Sequence, residues 1–187
     1  MSWDDEDERM PSDEDDGEEG ETKQVGSDEL LADENLRLPE GASILVRVHA
    51  VRAWLARRLR ESELAVGEAA LAMQMALSEE QSGTTRPRRR MNSWQDKVQH
   101  LQEQLSVAQE RLRGYEEAQR LFEQCVDHVT AGERVLVEYY LMLDALLQDL
   151  RERTGQNEQG TAGMSAYLEA LADVQHRIEH VVVPEEE

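Results

Sequence analysis

Few residues in this 187-residue chain combine a reactive type with a workable spacing. Asp173, His176 and His180 share one helical face at spacings of 3 and 4, so a metal site is geometrically allowed there. No further local ligand follows, the H-E-x-x-H pattern is absent, and the plainer expectation is a pair of solvated histidines near a helix end. Cys125 is the single cysteine, which rules out an intrachain disulfide and a cysteine zinc cluster. A lone cysteine beside an apolar stripe reads first as a small packing residue. The run Arg86-Pro87-Arg88-Arg89-Arg90 forms a basic loop of the kind that contacts phosphate or acts as a nuclear signal, although no aromatic residues interleave it. Arg47, Arg52, Arg57, Arg58 and Arg60 spread around a helix rather than along one line, which fits a solvated face better than a nucleic-acid stripe.

Catalytic signatures are missing. Neither the phosphate-binding glycine loops, nor G-x-S-x-G, nor C-x-x-C occurs. The reading is therefore non-enzymatic, with no catalytic residue, no metal and no cofactor expected. Net charge is −21 and unevenly spread: residues 1 to 40 hold 17 acids and 3 bases. Such a chain is repelled by nucleic-acid phosphates at long range, so nucleic acid is an unfavoured partner, whereas a basic protein is a natural one for the acidic arm. The N-terminal residues, acidic from Asp4 onward, are unlike a secretory signal. No stretch is long and apolar enough to span a bilayer. These points place the protein in the cytoplasm, or in the nucleus of a eukaryote.

The elements that carry these residues are helices. Aromatic content is 4%, and Ala, Leu, Glu, Gln and Arg dominate. Residues 1 to about 26 are low-complexity acid, expected to be disordered, and the whole of 1–40 reads as an acidic arm. Leu30, Leu31, Leu36 and Leu38 close it with a connector or a partner-docking segment. The four prolines, Pro11, Pro39, Pro87 and Pro184, all fall outside periodic segments.

Three helical blocks follow, at about 42–80, 93–153 and 164–182. The first has the stripe Ile44, Val48, Val51, Leu55, Leu59, Ser62, Val66, Ala69 or Ala70, Met73 and Leu77. The second, with Ser93 as its expected N-cap, holds a heptad with a positions Val98, Leu105, Leu112, Gln119, Val126, Glu133, Tyr140 and Leu147. Its d positions are Leu101, Ala108, Tyr115, Phe122, Val129, Leu136, Leu143 and Leu150. Gln119 and Glu133 are the polar exceptions and read as register devices. Thr130-Ala131-Gly132-Glu133 is a capping-box pattern that competes with continuity, but unbroken register favours one rod of about 90 Å, bent near Gly132. After Gly132 the stripe widens with Val135, Val137, Tyr139, Leu141, Met142 and Leu146. The third block repeats Met164, Tyr167, Leu168, Leu171, Val174, Ile178 and Val181.

Matching lengths predict an all-α fold: an antiparallel coiled-coil hairpin of blocks one and two, with block three on the C-terminal half of the long helix. One seam barely offsets chain entropy, so self-association or a partner helix is expected. The functional expectation is a scaffold, adaptor or assembly protein acting through helical seams, as a homo- or hetero-oligomer. The alternative is a binder or chaperone of basic proteins acting through the acidic arm.

Overall fold

A computed structural model describes residues 38, 41–81, 88–128, 132–155 and 162–182. All regular structure among them is helical. The helices are α1 (Ile44–Gln81), α2 (Arg88–His128), α3 (Gly132–Gly155) and α4 (Ala162–Val182). The expected disordered arm, residues 1–40, lies outside the described residues except for Leu38, which packs on the core and so falls outside a disordered arm.

Ser43 starts α1: its hydroxyl accepts the Val46 N–H at 3.4 Å, which satisfies one of the orphan donors of the first turn. α2 opens at Arg88, five residues before the expected cap at Ser93. Arginine is a good helix former, and the run of arginines extends the helix toward its N-terminus. Three of the four arginines expected in a basic loop, Arg88, Arg89 and Arg90, are thus the first residues of α2. Arg86 lies outside the described residues.

α1 and α2 run antiparallel. At one end the Trp94 indole donates to the Ala76 carbonyl at 3.3 Å and Lys97 meets Glu79 at 3.4 Å. Near the other end Arg52 pairs with Glu123 at 2.9 Å. Antiparallel packing of the first block on the start of the second, one part of the expected arrangement, is present.

The single rod from Ser93 to Arg153 is not. Tyr139 donates to the Ala118 carbonyl at 2.8 Å across 21 residues, and the Phe122 and Tyr139 rings meet edge to face at 5.1 Å. In one continuous helix the latter pair would stand about 25 Å apart. The chain therefore turns between His128 and Gly132 and lays α3 back against α2. Heptad register carries across the turn because each helix needs an inward stripe of its own. The break, between His128 and Gly132, falls within the d-to-a spacing of the heptad, so the pattern of apolar positions runs past it unchanged. The capping-box pattern at Thr130-Ala131-Gly132-Glu133 coincides in sequence with this break.

α4 completes the bundle. It is antiparallel to α3, with Tyr140 donating to Glu179 at 2.8 Å and Gln175 to Asp144 at 3.1 Å. Its first half runs parallel to α2: Gly163 lies against Ser106 and Glu110, Ala170 against Gly114, and Asp173 against Tyr115. The third block therefore packs on both halves of the expected rod rather than on the second alone. Small residues permit this. A β-carbon added at Gly114 would stand 2.7 Å from Ala170 Cβ and 2.9 Å from the Tyr167 carbonyl oxygen, and Ala118, Ala166 and Ala170 are all buried.

The core forms where all four helices meet. Val51, Leu55, Phe122, Leu136, Tyr139, Leu143, Leu147, Leu171, Val174 and Ile178 are almost fully withdrawn from water, and Leu38 packs on their edge. Each such side chain contributes on the order of 2 kcal/mol relative to exposure. The rest of the hairpin, residues 63–79 of α1 with 93–105 of α2, is different. Within it only Ala76 is buried. It is a two-helix stalk emerging from a four-helix base.

Candidate functional site

Two places combine unusual composition with accessibility: the polar junction at the foot of the stalk, and the outer face of the stalk itself.

At the junction, α1, α2 and α4 contribute Arg58, Tyr115 and Asp173. The Tyr115 hydroxyl donates to Asp173 Oδ2 at 2.6 Å, and the Arg58 guanidinium approaches the same oxygen at 3.4 Å. Arg58 also pairs with Glu61 at 3.1 Å and lies over the Trp54 ring, 5.2 Å from its centre. Trp54 in turn meets Tyr115 edge to face at 6.4 Å. Burial, reinforced by the bond to Asp173, pushes the Tyr115 hydroxyl far above its ordinary range, so it acts as a donor. The Arg57 hydrogen bond holds the Glu61 carboxyl below its usual value, with Arg58 adding to the effect against partial burial. Beside this cluster a cleft of about 760 Å³ opens between α1, α2 and α4, lined by Ser62, Ala65, Val107, Ala108 and Ala170 among others. Two ion pairs on its lining, Arg58 with Asp173 and Arg111 with Glu169, join different helices. Arg111 with Glu169 at 3.0 Å bridges α2 to α4 across the same cleft.

The outer face of the stalk is apolar. On α1, Leu64 is 68% exposed, and Leu71 and Met75 are 58% exposed. With Gly67 they recur at spacings of 3, 4 and 4, a stripe on the side of α1 opposite Val66, Ala69, Met73 and Ala76. Gly67 has open space around it: a β-carbon there would meet nothing within 4 Å. The monomer thus gives no packing reason for a helix-interior glycine on this face. A second, smaller exposed apolar patch is formed by Val137 and Leu141 on α3.

Every member of the expected seam other than Val129 and Glu133 avoids full exposure. Phe122, Leu136, Leu143 and Leu147 are buried, as is Tyr115. Val98, Leu101, Leu105, Leu112, Gln119, Val126, Tyr140 and Leu150 are half-buried. Val129 lies outside the described residues, and Glu133 stands in the first turn of α3. The structure divides this set between two helices that face each other.

The candidate chemical residues are dispersed. His176 and His180 meet each other, ring nitrogen to ring nitrogen at 3.0 Å, while the carboxylate of Asp173 is turned to Tyr115 and Arg58. Among the described residues no group of three or more histidine, cysteine, aspartate or glutamate side chains is placed to hold a metal. Cys125 is buried between α2 and α3, its sulfur 3.4 Å from that of Met142. Burial, with Glu138 nearby, pushes its thiol up and away from the thiolate that nucleophilic chemistry requires. Of the arginines on α1, Arg52 lies 5.7 Å from the Phe122 ring centre as well as pairing with Glu123, and Arg57 pairs with Glu61 at 2.7 Å. No helix among the described residues is long and apolar enough to cross a membrane.

Sequence reasoning missed the outer stripe because it sought a single inward face on α1. The signal was present: residues 63–79 are apolar nearly all round, with Glu63, Glu68 and Glu79 as their only charges. Comparison of the chain with protein-family models, with curated proteins and with solved structures gives no match.

Proposed function

We propose that this protein is a non-enzymatic helical scaffold or adaptor, a coiled-coil hairpin on a four-helix base that recruits proteins through its exposed helical faces. The observation that carries this reading is the outer face of the stalk, where Leu64, Leu71 and Met75 stand in water on the part of α1 that lies beyond the four-helix base. An apolar helix covered on one side calls for a covering partner on the other. The half-buried seam residues Val98, Leu101 and Leu105 support the reading, since a further helix laid on the stalk would finish their burial. The test is affinity capture with the full chain and with a Leu71→Glu variant as baits. Proteins held by the full chain and lost from the variant support the proposal. Identical capture profiles count against it.

A second reading is favoured by one specific observation, the 17 acids against 3 bases in residues 1–40. It makes the arm a docking strip for basic proteins, a chaperone-like activity. Binding of that kind weakens steeply with salt and is lost from a chain that begins at Leu38, the residue that still packs on the core. Equal binding by full and shortened chains, indifferent to salt, removes this reading.

A further inference from the structure

Resting on the assembly reading above, and naming its partner, we propose that the stalk is a homodimerisation surface on which α1 of one copy packs antiparallel against α1 of a second copy.

Three observations converge on a second copy of this chain. The first is self-complementarity. When Leu64 is set opposite Met75 of the second copy, a two-fold axis places Glu68 opposite Leu71 and Arg60 opposite Glu79, all exposed in the monomer. Leu64 and Met75 then meet at both ends of the apolar stripe, Leu71 of each copy packs beside Glu68 of the other, and the charges beyond the stripe, Arg60 and Glu79, are of opposite sign. A symmetric contact of this kind repeats every interaction twice and closes without open growth.

Gly67 is the second. It lies next to the centre of that register, where two helices must come closest, and it has free space in the monomer. A residue without a side chain there lets the second helix approach and lets Leu71 of that helix seat against the backbone.

Direction and size are the third. In the antiparallel register the two copies of Ile44, where the acidic segments join α1, stand about 75 Å apart at 1.5 Å per residue. That is many times the screening length of roughly 8 Å at physiological salt. A parallel pair would bring two segments of 17 acids and 3 bases side by side. Pairing over residues 60–79 covers about 30 Å of helix and buries at most on the order of 1,000 Å² in total, the lower bound for a specific interface, so the dimer dissociates on dilution.

The test is sedimentation equilibrium of the full chain over a wide concentration range, beside Leu71→Glu and a cysteine cross-linking variant. For the wild type, the mass should rise from 21.4 kDa toward twice that value with concentration. Leu71→Glu replaces an exposed side chain, so helicity should be unchanged while dimer affinity falls at least about 30-fold. In a Cys125→Ser background, Leu64→Cys with Met75→Cys should oxidise to a covalent dimer, because the two positions lie too far apart on one helix to join within a chain. Leu64→Cys alone should not cross-link. A wild type that stays at 21.4 kDa throughout overturns the proposal, and if it still captures partners through Leu71 the assembly reading stands without it. A dimer that Leu71→Glu leaves intact, or a cross-link formed as readily by Leu64→Cys alone, also overturns this surface and register.

Discussion

Two glycines in the middle of long helices carry opposite meanings. Gly114 is where α2 and α4 touch, with Ala170 Cβ already at 2.7 Å from where a methyl would go. Gly114→Ala forces the helices apart and should cost about 1–3 kcal/mol. Gly67 has nothing within 4 Å, so Gly67→Ala should raise the stability of the monomer by about 0.5–1 kcal/mol. Urea denaturation of both variants, with the slope held constant, measures the contrast. Tyr115 and Tyr139 supply a second prediction. Burial raises both hydroxyls far above their ordinary pKa of about 10. The folded state therefore keeps protons that the unfolded chain releases. Their contribution is fully present below about pH 10 and is lost as pH climbs above it, by about 1.4 kcal/mol per unit for each tyrosine. Tyr139→Phe should flatten the alkaline arm of a stability–pH profile by one tyrosine's share. It should also cost about 1 kcal/mol at neutral pH, because the Ala118 carbonyl loses its donor.

At the scale of the element, the turn between α2 and α3 decides the architecture. A double-mutant cycle on Phe122 and Tyr139 tests it directly: an edge-to-face pair at 5.1 Å should give a coupling of about 0.5–1.5 kcal/mol. A cycle that closes with no coupling would restore the straight rod. Much of each helix was legible beforehand. The a and d positions of α2 and α3 mark their inward sides, and the pairing of α1 with α2 followed from length and a short connection. The turn was not, because heptad phase reports where a helix points its apolar side and says nothing about whether the backbone runs on between two such stretches. The seat of α4 escaped for a different reason. Large residues such as Met164, Tyr167 and Leu168 suggested its inward side, yet the buried residues include Ala166 and Ala170, since close approach selects small side chains over large ones. Asp173 was legible as a candidate ligand by spacing, but its two real partners come from helices more than fifty residues away in the chain.

For the whole molecule, the described core begins at Leu38 and is complete by Ile178. A chain starting at Leu38 should therefore keep its helicity and unfold at a thermal midpoint within a few degrees of the full protein, as followed by circular dichroism. The acidic segment should instead govern salt sensitivity, since its charges repel one another and any acidic neighbour until counter-ions screen them. A large drop in the midpoint on truncation would show that residues before Leu38 belong to the fold.

The uneven covering of α1 has a consequence in time as well as in space. Near Val51 and Leu55 the helix is locked by three others, and near Glu79 it leans on one. Its two halves should therefore open with different free energies, the tip fraying in small excursions and the foot only when the molecule unfolds as a whole. Amide hydrogens should exchange along a gradient, fastest beyond Leu71 and slowest around Leu55. Whatever covers the tip would slow its exchange without changing that at the foot.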